Sequence, residues 1–181
     1  MIYIRGMLVP KERILEAAAH LFHRNGYNAT GVNAIIDEAR VAKASFYDHY
    51  ETKEDLAVAY LNHRHDLWFE GLIGEVDKKQ TVTSKVVAAF KYLKKMNEKE
   101  DYRGCAFLNM MSEEPHASKK IWEIIHGHKL QLQAFFEEML DNKEKAFLIY
   151  MLFESCITES QLFKSQRYLT KTIKIITTSI L

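Results

Sequence analysis

Helix breakers are scarce in this sequence: two prolines, Pro10 and Pro115, and seven glycines in 181 residues. Long stretches therefore run uninterrupted, and folds made of many short strands joined by tight turns are disfavoured. Cysteine is just as sparse. Cys105 and Cys156 lack the local spacing of a zinc or CxxC site and suit a reducing compartment. No apolar run approaches the ~20 residues of a membrane span. The N-terminal MIYIRGMLVP is too short for a secretion signal and has no small-residue cleavage pattern, which points to a cytoplasmic protein, with Met7 as an alternative start. Excess charge is missing too: 25 Lys+Arg stand against 24 Asp+Glu, and residues 1–65 hold eight of each. Any affinity for a polyanion must come from placed groups rather than a bulk field. There is no Ser/His/Asp order, no glycine-rich phosphate loop and no metal-spaced cluster. The expectation is a non-enzyme without cofactor or metal. The pairs His63/His65 and His126/His128 are two apart, so on a helix they face different ways.

What is present is helical periodicity. Residues 11–25 place Ile14, Ala18, Leu21 and Phe22 on one stripe, and Gly26 follows as a stop. Thr30 offers an N-cap to a short second helix that buries Val32, Ile35, Ile36 and Ala39. A third, Ala42 to His49, carries Phe46 and Tyr50 inward. Thr52 with Asp55 opens a long amphipathic helix to about Ile73. Further helices are expected over 83–97, over 105–112 and from Pro115 to Met139, with the charged 98–104 as a loop. The run AFLIYMLF at 146–153 is apolar on all sides and predicts a deeply buried helix. In the last helix Leu169, Ile173, Ile176 and Ile180 recur at the spacing of a packed helix pair.

The fold class that follows is all-α: an N-terminal three-helix domain with a helix-turn-helix at about 31–50, then a larger helical bundle, about nine helices in all. Two short helices joined by a tight turn can place the second in the major groove of DNA. Residues 42–49 span about 12 Å at ~1.5 Å per residue, comparable to the groove. Ala42 and Ala44 are small enough for close approach, while Lys43 and Ser45 supply donors.

The segment from Ile14 to Leu56 carries, in order, I-L-x-A-A-x-x-L-F, G-Y-x-x-T, I-x-x-x-A, S-F-Y-x-H-Y and K-E-x-L. It resembles the TetR-family DNA-binding domain over roughly residues 8–68. The resemblance implies that Thr30 contacts a phosphate at a helix N-terminus and that Lys43, Ala44 and Ser45 face base edges. It further implies that Tyr47 and His49 bind the backbone, and that Lys53 anchors a phosphate. It also implies residues 8–55 as the DNA-binding domain and 56–181 as a ligand-binding and dimerisation domain. Arg40 departs from the family, which has glycine in that turn; a left-handed conformation there costs a side-chain-bearing residue roughly 1 kcal/mol.

The partners implied are double-stranded operator DNA, a small-molecule effector and a second copy of the chain, with no membrane. Aromatic and methionine stripes nominate Trp68, Phe107, Met110, Trp122, His126 and Met151 as lining an effector cavity, although such stripes also make ordinary core. The last two helices nominate Phe147, Tyr150, Leu169, Ile173, Ile176 and Ile180 for a homodimer face, with monomer core as the alternative. The resulting expectation is a repressor that binds a pseudo-palindromic site as a dimer and is released by an inducer. The competing one is a helical ligand-binding or adaptor protein without DNA activity, in keeping with the neutral N-terminal charge.

Overall fold

The computed structural model describes residues 8–114 and 118–181; Pro115, at the expected junction of two helices, lies outside the described residues. Among the described residues are nine α-helices, a terminal π-helical turn and no strand. The chain divides into two compact units. One lies within Met1–His65 and Ala106–Ile125, the other comprises Asp66–Cys105 and His126–Leu181.

In the first unit, α1 (Pro10–Asn25) starts with proline at its first position, where no amide partner is needed. Glu12 reaches back to accept from the Val9 amide at 3.1 Å. The buried face is Ile14, Ala17, Ala18 and Phe22, and Gly26 stops the helix with φ 92°. α2 (Val32–Ala39) buries Ile35, Ile36 and Ala39 against α1. It ends at Arg40, which adopts the left-handed conformation, φ 54° and ψ 49°, at the position where the resemblance predicts glycine. The Arg13 guanidinium donates to the Arg40 carbonyl at 3.4 Å, tying the turn to α1. α3 (Lys43–His49) follows directly. α4 (Lys53–Val76) opens as expected: Thr52 accepts from the Asp55 amide at 3.0 Å and donates to its carboxylate at 2.7 Å.

α6 (Ala106–Glu113) belongs to this unit, whose first stretch runs to His65 within α4. The Glu113 carboxylate accepts from the Asn28 amide at 2.9 Å, and its carbonyl accepts from the Asn28 side chain at 2.7 Å. A Cβ at position 26 would displace that carboxylate from its place beside Asn28, and the positive φ favours glycine there.

The second unit is built from the rest of α4, α5 (Val82–Lys99), most of α7 (Lys119–Met139), α8 (Lys143–Phe163) and α9 (Arg167–Ile175), closed by the π turn Ile176–Ile180. Phe90 and Phe136 meet Phe153 at 5.1 and 5.4 Å between ring centroids, all three fully buried. Trp68 stands edge-on to Tyr92, His128 and Phe153. One ion pair is drawn into this apolar setting: Lys129 of α7 donates to both oxygens of Glu154 on α8, at 2.6 and 2.8 Å. Burial works against the Lys129 charge, but Cys105 and the Glu154 carboxylate outweigh it and raise its pKa above the usual lysine value.

Two expectations fail here. The apolar run 146–153 is not buried on all sides: Ala146, Ile149 and Phe153 are core, but Phe147, Leu148 and Met151 are about half exposed, at 53, 44 and 48%. In α9 and its π extension, Leu169 and Ile176 are wholly inside the core of their own unit and Ile173 and Ile180 pack partly against it. That seam joins helices of one chain, so Leu169 and Ile176 offer nothing to a second.

Candidate nucleic-acid interface

Among the residues of α3, one side chain reaches the core. Phe46 is fully buried, and Tyr50 packs against it just past the helix end. Anchoring a seven-residue helix by one face leaves the opposite face outward. Ala44, Tyr47 and Asp48 turn away from the anchored face and are exposed, Lys43 is exposed at the first position of the helix, Ser45 is half-buried, and His49 is exposed in the last turn. Tyr47 stacks edge-on to Phe46 at 5.2 Å, which fixes its ring while leaving the phenol outside. Ala42 is the exposed, extended N-cap residue. Seven residues make a rod of about 10 Å, short enough to enter a major groove about 12 Å wide. The structure thus brings Ala42, Lys43, Ala44 and Tyr47 together at one end of a presented helix. Asp48 on the same face was not singled out in the sequence. Its carboxylate adds a negative charge to the otherwise uncharged part of that face.

Thr30 is a correction. Its hydroxyl is turned inward, 1% exposed, and donates to the Gly26 carbonyl at 2.7 Å. The N-cap of α2 is instead Gly31, with no side-chain cap. Gly31 is exposed, with open space where a Cβ would be. The first amides of α2 are thereby left for an anion such as a phosphate oxygen. The sequence held the signal in the Thr-Gly pair, since either residue can cap, and the hydroxyl satisfied the loop rather than the helix.

Lys53 begins α4, but its ammonium lies 4.0 Å from the centre of the Tyr27 ring. Partial burial lowers its pKa, opposed by Glu114 and Glu113. The same surroundings, burial first and then Glu114 and Glu54, raise the Tyr27 phenol. Lys53 is therefore engaged with its own unit in this structure rather than extended as a free phosphate anchor.

The proposed effector-lining residues are dispersed. Phe107 and Met110 are buried in the first unit, where Met110 lines a cavity of about 10 Å3, room for about one water. Trp68 sits in the aromatic core of the second. Trp122, His126 and Met151 are surface positions: in α7 the inward pair is Ile121 and Ile125, and their neighbours 122 and 126 fall on the next face outward. Of the proposed dimer residues, Phe147 is exposed and Tyr150 half-buried. Among the described residues no group of three or more metal-ligating side chains converges, and no helix is long and apolar enough to cross a membrane.

Comparison with known proteins agrees with this geometry. Residues 14–60 match the sequence profile of the bacterial regulatory proteins of the tetR family. The HTH-type transcriptional regulator LmrA of Bacillus subtilis is 30% identical over 135 residues, 72% of this chain and 70% of that protein. QacR of Staphylococcus aureus is 40% identical over 60 residues, 33% of this chain and 32% of its own length. The chain spans about half the length, or less, of several of the curated relatives it matches. A crystal structure of a TetR-family regulator from Streptomyces coelicolor superposes with a TM-score of 0.82 at 22% identity, covering 91% of this chain and 84% of that one. With an outward recognition rod, a left-handed turn before it and relatives that share both the segment and the all-helical fold, the chain belongs to the TetR family of transcriptional regulators.

Proposed function

We propose that this chain represses transcription by binding a pseudo-palindromic operator as a homodimer and that a small molecule releases it. The observation that carries the reading is the free face of α3, where Lys43, Ala44 and Tyr47 are exposed on a helix pinned by Phe46. Residues 8–55 act as the DNA-binding part and 56–181 as the effector and dimer part. The amides of α2 at Gly31 take a phosphate, Tyr47 and His49 hold the backbone, and Lys43 with Ser45 reads base edges. Such a protein works where the DNA is, in the bacterial cytoplasm.

Pairing is supported by α8. Phe147, Leu148, Met151, Ser155, Thr158 and Leu162 are all exposed and fall on one helical stripe, with four large apolar side chains among the six. A symmetric pair built on that stripe holds two recognition helices about 34 Å apart, one turn of B-form DNA. Effector binding then works by favouring a spacing that does not fit both half-sites, at about 1.4 kcal/mol of differential affinity per tenfold loss of operator binding.

The test is a gel shift with the full chain and the DNA upstream of its own coding region, repeated over a salt series. A specific complex that weakens steeply with salt is expected. Lys43→Ala with Tyr47→Ala abolishes it without altering the sedimentation coefficient. A chain that shows no salt-sensitive complex, or a double variant that shifts DNA as well as the parent, overturns the reading in favour of an adaptor.

A further inference from the structure

Outside the recognition helix, the second unit carries a groove of about 540 Å3 formed by the last turn of α4, the connection that follows it and α5 as far as Lys95. That volume lies within the range of small-molecule sites, about 300–1,000 Å3. Its lining divides by chemistry. The floor is apolar, made by Val87, Ala88 and the ring of Tyr92. The rim holds three ammoniums, Lys79, Lys91 and Lys95, and one carboxylate, Glu75.

Glu75 is already engaged. Lys78 and Lys95 approach it at 3.2 and 3.3 Å, and hydrogen bonds from these two ammoniums hold its carboxyl below the usual range. Among the described residues Lys79 and Lys91 form no ion pair. The groove thus keeps two positive charges that no protein carboxylate answers. Ser84, Val87, Ala88, Lys91 and Lys95 recur at the spacing of one face of α5, so floor and charges line the same side. The Tyr92 wall is fixed by close packing: Gly71 of α4 passes so near the phenol that any Cβ there would collide with it.

We infer that this groove binds an amphiphilic organic anion, a carboxylate with a short alkyl or single-ring body. The head group sits between Lys79 and Lys91, and the apolar body lies on Val87, Ala88 and Tyr92. Both parts are needed. Exposed ammoniums alone hold a carboxylate weakly, because each such pair contributes at most about a factor of five, and an apolar floor alone does not select charge.

The proposal is independent of operator binding, and its test does not use DNA. Decanoate and decyltrimethylammonium share a chain length and differ in the sign of the head group; each is titrated calorimetrically, below its micelle concentration, into the full-length chain. Decanoate is expected to bind at least about tenfold more tightly than the cation. Lys79→Glu with Lys91→Glu reverses that order, with the thermal melt unchanged. Val87→Trp, which fills the floor and leaves every charge in place, weakens decanoate by about tenfold. Equal affinity for the two amphiphiles overturns the inference, as does decanoate binding that neither variant changes, which would place the anion elsewhere. If the charge-reversed variant fails to fold, Lys91→Gln alone decides by the same ratio.

Discussion

α3 and α8 both turn uncommon faces to solvent, and the two faces are opposite in chemistry. α3 is seven residues long, is secured by one phenylalanine, and presents a lysine, two small residues and a tyrosine whose ring is already packed. α8 is three times that length and is secured by Ala146, Ile149, Phe153, Cys156 and Ile157; it presents a mostly apolar stripe in which Ser155 and Thr158 interrupt four large apolar side chains. A hydrated polyanion is met by groups that exchange water for hydrogen bonds, whereas a second protein surface is met by area removed from water. The lesson is that outward exposure alone does not define a site; the chemistry of the exposed face names the partner.

The contrast can be broken from the inside first. Phe153→Ala on α8 and Phe46→Ala on α3 each remove a fully buried ring and are expected to cost about 3–5 kcal/mol in urea unfolding. Phe46→Ala should also lose operator binding, because Phe46 is the one residue of the helix that reaches the core. Next comes the ion pair behind the stripe. Lys129→Met strands a carboxylate that is more than four-fifths buried and should cost about 3 kcal/mol, while Lys129→Met with Glu154→Leu recovers most of it. The raised Lys129 pKa adds a pH signature. Its contribution is complete below the ordinary lysine range and is lost as pH rises through the elevated folded value, so the parent should lose more stability in strong alkali than the double variant.

The exposed faces give smaller and more selective effects. Met151→Glu should weaken self-association by about a hundredfold, roughly 2.7 kcal/mol, in sedimentation equilibrium, with the helical signal unchanged. Tyr47→Ala should leave the melting temperature within about a degree and weaken operator binding by about 1–2 kcal/mol in titrations at fixed salt. If Tyr47→Ala unfolds the domain, or Met151→Glu leaves the association state intact, the division between the two faces collapses.

How far this was legible in the chain differs between the same two regions. Around α3, ordered local signals agree with one another: the alanine pair on α1, the stop at Gly26, the cap at Thr52 and Asp55, and a turn at Arg40 that adopts the backbone of the glycine it replaces. Local geometry decides those features, so a local pattern reveals them. The pattern puts the cap of α2 at Thr30, one residue before Gly31, because a hydroxyl before a helix can serve either the helix or the loop behind it. In α8 and α9 the difficulty is of another kind. An apolar residue records only that it avoids water, and it does so equally against its own chain or a copy; hence the pattern offers Leu169 and Ile176 to a partner although they lie inside, and buries Leu148 although it lies half outside. An effector site is harder still, since Trp122 and His126 are separated from their inward neighbours Ile121 and Ile125 by only a quarter turn or so of helix.

The left-handed backbone at Arg40 leaves a reserve that the protein does not draw on. A glycine there would retain the carbonyl that Arg13 reaches, shed a steric penalty of roughly 1 kcal/mol and raise the heat tolerance of a chain this size by about 2–4 °C. The guanidinium at that corner is kept at a thermal cost, in a turn that leads straight into the reading helix.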